Sequence, residues 1–541
     1  MQQASIQNKS EHQRANVLWL VGYGLCYSIA LSLTIRAGSL WTDEAFSAYI
    51  ACHRTIGSLV STLLAGDSSD LQMATYYIYL HFWTICFGST EFALRAANIP
   101  FVVVFSFALI WTSWRVFRSR WIWMAPACFP FLLLYTGEAR AYFAVAACST
   151  VCFGGLLACA EHPSERERRY LPWLILISLL IGATFHMLML LAVLPMLVIV
   201  FAYRPGRACI TWKDWKPALL ALSVPFTLLL IYIGWTFFRG TAYQYDKPGV
   251  LSMGSVAYRF LGLSWYGPDR HYDIPFRPYL GLIAAAAFVL LLALFGMALS
   301  GLRRVERRRL MVLSGAFALA VLQVLTLSLL SQQQADERHL AALVPLLLFV
   351  FLAALSGPSH PKAIAPISAL LLAGVWLIAD ARMLLLPDYQ TEDFRAAIDR
   401  ALELHGESNA SLALVADPAA AAYYGLDLRG DAPCFPLLDN CADGFNKVNW
   451  PRKAPAAYAA AWTTNKISVW LGSHAGNHSP ALVIISRQRH PLYTNSAWWP
   501  ILRANPQAIQ YSVHGFSIYL LKPDAAASQA HSVNELTWPK S

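Results

Sequence analysis

Apolar residues run along this chain in long blocks separated by short polar segments. The first block covers positions 17–35, 19 residues after a polar start. A helix rising 1.5 Å per residue crosses a bilayer with about 20 such residues. A secretory signal would have a shorter apolar core and a small-residue cleavage site. Arg36-Ala37-Gly38-Ser39-Leu40-Trp41 is not such a site, so we read an uncleaved first span. Further blocks cover 97–114, 121–136, 141–160, 171–185, 187–203, 217–237, 279–300, 310–331, 339–356 and 363–386. The block 76–88 has 13 residues and falls short of a full crossing.

Basic residues between the blocks assign sides. They cluster at Arg115/Arg118/Arg120, Arg166/Arg168/Arg169, Arg204/Arg207/Lys213/Lys216 and Arg303/Arg304/Arg307/Arg308/Arg309. Lys and Arg concentrate on the cytoplasmic side of membrane proteins. With all four clusters inside and the N-terminus inside, one crossing separates the 37–74 loop from Arg115. The 76–88 block is then an interfacial or re-entrant helix. The expected fold is a polytopic α-helical membrane protein of about 11 spans, range 11–13, with its C-terminus outside.

From about Pro387 the pattern changes, and no spanning run follows. Helical spacing covers 394–404, and the short apolar runs 411–416, 481–486 and 516–521 read as buried strands. A helix with short strands predicts a small extracytoplasmic α/β domain over 387–541, beside a transmembrane domain over 1–386.

Composition narrows the class. Of 541 residues, 57% are hydrophobic and 13% charged, against roughly 25% charged in a soluble protein. Disorder, a collagen-like repeat and a disulfide-stapled miniprotein are excluded. The net charge of +10 belongs to the basic loops, so nucleic acid is a poor partner. Seven of the ten cysteines lie in or beside apolar stretches, where Cys serves as a small hydrophobe. Cys434 and Cys441, in CFPLLDNC, lie in the distal segment. There they are a disulfide candidate, with two free thiols as the alternative.

On this topology, most charges outside the basic clusters meet at one face. Asp43 and Glu44 follow the first span; two adjacent carboxylates at a membrane surface need cations or a raised pKa. One of them can act as general base on a hydroxyl or amine. The alternative is helix capping, with Thr42 as cap. Glu138 and Arg140 lie between two apolar blocks, where ionisable groups are costly and mark function or a self-satisfied pair. His186 interrupts an apolar stretch; one histidine does not make a metal site. The 238–278 loop is rich in aromatics, Trp265 and Tyr266 among them, and reads as an interfacial anchor or an acceptor-binding lid.

In this order, the segments LWTDEAFSAYIA (40–51), QMATYYIYLHFWTICFG (72–88), TEFALRAAN (90–98), YTGEARAY (135–142), ATFHML (183–188) and DERHLAALVP (336–345) resemble the membrane glycosyltransferases that use polyprenyl-phosphate-linked sugars. These include protein O-mannosyltransferases, aminoarabinose transferases that modify lipid A, and related bacterial enzymes of the C-type fold. The resemblance covers 38–200 and, more weakly, 330–356. Gln72, Met73 and Ala74 depart from it, standing where the family has His-Pro-Pro. That removes a ligand or substrate contact, so a divalent cation stays open and no metal-ligating set is assigned.

The resemblance implies inverting transfer of a sugar from a polyprenyl-phosphate donor to a lipid, glycan or protein acceptor at the outer face of a bacterial cytoplasmic (inner) membrane. Asp43 would be the general base, with Glu44 and Glu138 beside it. Arg95, Arg140 or Arg338 would neutralise the leaving phosphate. Gln72, Tyr76, Tyr77, His186, Trp265, Tyr266 and Glu337 would contact substrate. The competing reading is a non-catalytic transporter or scaffold of the same fold. A transporter should show internal repeats and Gly/Pro-broken helices at mid-membrane, and no clear repeat is visible.

Overall fold

A computed structural model describes residues 2–36, 38–65, 69–161, 163–202, 211–239, 304–331, 337–356, 364–385, 393–408, 410–415, 418–426, 434–436, 482–487 and 508–521, and the single positions 256, 260, 261 and 296. Among these, six helices are long and apolar enough to cross a membrane: Glu91–Arg115, Tyr142–Ala160, Glu165–Phe185, Trp212–Thr236, Glu306–Leu330 and Glu337–Leu355. Shorter apolar helices cover Val17–Ser32, Met187–Ala202 and Ile367–Ala381.

The Tyr142–Ala160 helix is the axis of the bundle. Of its spanning window, 89% is buried, against 11% for Trp212–Thr236, whose Leu220, Val224, Leu228 and Ile231 face outward. In lipid, helices associate by close packing rather than by hydrophobic burial, so small residues matter at the contacts. Gly154 and Gly155 supply this. A Cβ on Gly154 would lie 2.3 Å from Thr112 Oγ1, and one on Gly155 would lie 2.8 Å from Ile175 Cγ1.

Two poles result. At one, Arg115 Nε donates to Glu167 Oε1 at 2.8 Å, and Arg309 pairs with Glu161 and donates to the Val116 carbonyl at 3.1 Å. Three of the basic clusters therefore meet there. At the other, Asn98 Nδ2 donates to the carbonyls of Tyr135, Thr136 and Glu138. The helix Tyr142–Ala160 has 19 residues, about 28 Å at 1.5 Å per residue, close to one hydrocarbon thickness.

Some expected elements differ. The block 121–136 is two short helices, Met124–Ala127 and Pro130–Thr136. Pro130 has no N–H to continue the first, and Phe129 before it is extended (φ −67°, ψ 122°). Thr42 is not a cap: the helix Thr42–Ala51 has Trp41 at its N-cap, and Glu44 Oε2 accepts from the Trp41 N–H at 3.3 Å. The 76–88 block is a helix over Ala74–Phe87, 14 residues long. Within the 238–278 loop, Val256 and Phe260 belong to the bundle core, with Phe260 stacked on Phe317 and edge-on to Phe129. Trp265, Tyr266 and Cys441, and all of 279–300 except position 296, lie outside the described residues.

The distal segment forms a five-stranded sheet of order β2-β1-β3-β5-β4, from β1 (Ser411–Val415), β2 (Cys434–Pro436), β3 (Leu482–Arg487), β4 (Ile509–Val513) and β5 (Phe516–Leu521). β2, β1 and β3 are parallel, while β5 pairs antiparallel with β3 and β4. β5 is buried along its whole length, which is why its sequence reads as a continuous apolar run. The helix Phe394–Ser408 packs on the sheet through Phe394, Ala397, Ile398, Ala401 and Leu404. The same core takes in Leu40, Tyr76, Tyr77 and Leu94, so the sheet unit sits on the second pole.

Candidate active site

The second pole is assembled from six segments: the N-terminus of Thr42–Ala51, the Ser69–Met73 and Ala74–Phe87 pair, the head of Glu91–Arg115, the turn before Tyr142–Ala160, the junction at His186, and the segment opening Glu337–Leu355. Three of its groups stand at 3₁₀ turns that feed longer helices. Asp70 is in Ser69–Met73, His186 caps Met187–Ala192, and Arg338 is in Glu337–Leu343. A 3₁₀ turn rises about 2.0 Å per residue and is used in short pieces where chains change direction.

Asp43 and Glu44 are adjacent yet differently committed. Glu44 keeps 1% of its side-chain surface exposed and Asp43 29%. Arg95 grips Glu44 through Nε (2.9 Å to Oε1) and Nη2 (2.6 Å to Oε2). The remaining donors of Arg95 go to the carbonyls of Arg36, Gly38 and Ser39. Glu44 Oε1 also accepts from the Ala139 N–H at 2.8 Å. This pair ties the first loop to the 137–141 turn, and all five guanidinium donors are spent on it. A buried ion pair tolerates its desolvation only when bonded this fully.

Asp43 faces the open side. Its Oδ2 meets Arg338 Nη1, with Arg140 Nη2 at 3.9 Å. Arg338 lies over the Trp41 ring at 5.9 Å. Arg140 is buried, and its Nη1 donates to Ser47 Oγ (3.1 Å), Tyr77 OH (3.1 Å) and the Asp43 carbonyl (3.3 Å). Asp70 lies 3.5 Å from Arg140 Nη1 and accepts from Tyr77 OH. Burial works against the Arg140 cation, but Tyr77, Tyr142, Asp43 and Asp70 outweigh it and hold its pKa well above the usual arginine value.

His186 is buried, with its ring 5.6 Å from that of Tyr142. Its Nδ1 accepts from the Leu188 N–H at 3.2 Å, which places the proton of the neutral ring on Nε2. Burial, and then the positive charges of Arg140, His339 and Arg338, push its pKa well below the usual histidine value. Among the described residues no group of three or more His, Cys, Asp or Glu could hold a metal ion. Each of Glu44, Asp43 and Asp70 already faces arginine, an arrangement that does not fit a divalent-cation site.

No family model and no curated protein matches the chain. Solved structures do. The crystal structure of ArnT from Cupriavidus metallidurans bound to undecaprenyl phosphate superposes with a TM-score of 0.54, covering 94% of this chain and 98% of that one at 12% identity. ArnT in the apo state gives 0.51, covering 95% and 99% at 11% identity. The chain has the fold of ArnT. The fold expected from the motif order is therefore the one found.

Within this ArnT-like fold, Asp43, Glu44, Arg95, Arg140, Tyr77 and Arg338 form one connected network. Arg338 joins the network through Asp43. Glu138 and Glu337 are buried at the same pole. Tyr76 is buried in an aromatic cluster with Tyr79 and Phe185. Gln72 is exposed, whereas its neighbours Leu71 and Met73 are buried. Asp70, Ser47, Asn98 and Tyr142 also belong to the site. Asp70 carried a faint signal, one of two acids, with Asp67, in the polar stretch before the 76–88 block.

Proposed function

We propose that this protein transfers a sugar from a polyprenyl-phosphate-linked donor to a hydroxyl- or amine-bearing acceptor on the outer face of a bacterial cytoplasmic membrane. One observation carries the reading. A half-open carboxylate, Asp43, stands against two arginines, Arg338 and Arg140, at the pole opposite the basic clusters. The ArnT-like fold and the undecaprenyl phosphate held by that neighbour support it.

In the proposed reaction an acceptor oxygen or nitrogen attacks the anomeric carbon as the bond to the phosphate oxygen breaks, inverting the centre. Asp43 takes the acceptor proton. The departing phosphate gains negative charge, so cations placed beside it favour the transition state over the bound donor. Arg338 and Arg140 fill that role, and guanidinium geometry suits phosphate. Glu44 and Arg95 hold the frame, because their bonding is spent on each other and on backbone. Glu138, Glu337, Tyr76, Tyr77 and His186 line the substrate side. Residues 387–541 form an extracytoplasmic unit over the site, and the lipid tail lies among the spans.

The test is transfer itself. Protein reconstituted in liposomes, given a labelled polyprenyl-phosphate sugar and extracts of cell-envelope lipids, glycans and proteins, should move label into one acceptor fraction. Stable donor with no labelled product in any fraction would overturn the reading.

A further inference from the structure

Two of the ion pairs at the site, Glu44–Arg95 and Asp43–Arg338, differ in exposure, and the difference bears on the order of events. The Glu44–Arg95 pair is buried, with every guanidinium donor spent. The Asp43–Arg338 pair lies alongside it, with 29% and 16% of the side-chain surfaces exposed. Separating a buried pair leaves an uncompensated charge, whereas a solvent-reached pair is held weakly and can exchange partners. Arg338 extends from the first turn of a 3₁₀ segment and rests over Trp41. Arg140, by contrast, is held by Ser47, Tyr77 and Asp70.

The group proposed as base is therefore already paired. Its Oδ2 is in contact with a guanidinium, where an acceptor hydroxyl would have to donate. We infer that the phosphate of the lipid-linked donor draws Arg338 away from Asp43, so that donor binding uncovers the base and precedes acceptor activation. This rests on the transfer reading above. A phosphate offers the guanidinium a bidentate partner of equal or greater charge, and Asp43 keeps Arg140 at 3.9 Å to hold it in place. No bond is made or broken in the exchange. Its consequence is that a site without donor does not deprotonate acceptors or water.

The exchange is readable in binding, with no acceptor present. Full-length protein in nanodiscs is titrated with undecaprenyl phosphate. Asp43→Asn removes the carboxylate that pairs with Arg338, so it should bind the lipid phosphate about tenfold more tightly than wild type, while Arg338→Ala should bind about tenfold more weakly. In the Arg338→Ala background, Asp43→Asn should bring no comparable gain. If the tightening persists there, it reflects only relief of charge repulsion, and the exchange is overturned. Wild type and Asp43→Asn binding equally well would also overturn it. A wild type that does not bind the lipid phosphate would overturn the donor reading itself, and the exchange with it. A second measurement needs no variant. Carbodiimide labelling of Asp43, read by peptide mass spectrometry on wild type, should rise when undecaprenyl phosphate is added. Labelling that is unchanged or lower, in protein shown to have bound the lipid, would overturn the exchange.

Discussion

Asp43 and Glu44 share a peptide bond, yet their side chains have opposite fates, and this contrast is open to direct test. Asp43→Asn keeps the size of the side chain and removes its basicity. Transfer should fall by about 10²- to 10⁴-fold, with the thermal midpoint near wild type because the residue is half open. Glu44→Gln leaves Arg95 buried beside a neutral amide, and loss of one partner of such a pair costs about 3–5 kcal/mol. Its main effect should be a lowered midpoint in detergent, measured by differential scanning fluorimetry. His186 adds a pH dependence with a definite sign. Its folded pKa is depressed well below the ordinary 6.5. Above that value both folded and unfolded chains carry it neutral, and stability is unaffected. As pH falls below it, the unfolded chain takes up a proton that the folded site refuses, so stability declines. His186→Asn can still accept the Leu188 N–H and should flatten this decline, in midpoints recorded from about pH 8 to about pH 5.

Among the elements, the axial helix has the tightest tolerances. Gly154→Leu would drive its side chain into Thr112, whose hydroxyl already donates to the Ala108 carbonyl. Overpacking of this kind costs about 1–3 kcal/mol. Gly315, on the outer Arg304–Ser331 helix, has open space where a Cβ would stand, so Gly315→Ala should be neutral or stabilising. Thermal unfolding of the two variants in one detergent compares them directly. The distal unit meets the first loop and the head of the Glu91–Arg115 helix through well-defined bonds. Tyr424 OH accepts from the Leu40 N–H at 2.7 Å, and Arg395 pairs with Glu91. Burial raises the Tyr424 pKa to about 12, so the phenol stays neutral and keeps accepting at any physiological pH. In the same unit we expect Cys434 and Cys441 to be joined. Peptide mapping should find both resistant to alkylation until a reductant is added.

The whole molecule has two charged poles, one membrane thickness apart, and an impermeant thiol reagent can tell them apart. In a background cleared of native exposed cysteines, Arg54→Cys should label from the outer side of intact cells and Lys213→Cys only after permeabilisation; the reverse would invert the assigned orientation. The block pattern of the sequence was enough to establish a membrane bundle, because lipid requires about 20 apolar residues per crossing, a requirement each segment meets alone. It also carried the short 76–88 block, which folds as the helix Ala74–Phe87, and the apolar runs that fold as strands β1, β3 and β5. Two other strands were not legible. β4 is a largely exposed edge strand, and β2 has three residues. Nor did apolarity alone separate the broken 121–136 segment from a span, since its prolines act on backbone geometry rather than on hydropathy. At the site, the sequence brought out Asp43, Glu44, Arg95, Arg140 and Arg338 as charged residues in a chain with few of them. Which arginine meets which carboxylate depends on segments up to 295 residues apart. That pairing, the burial of Glu44 and the partial exposure of Asp43 were decided only by tertiary structure, because desolvation and ion pairing act through space and leave no periodicity in the chain.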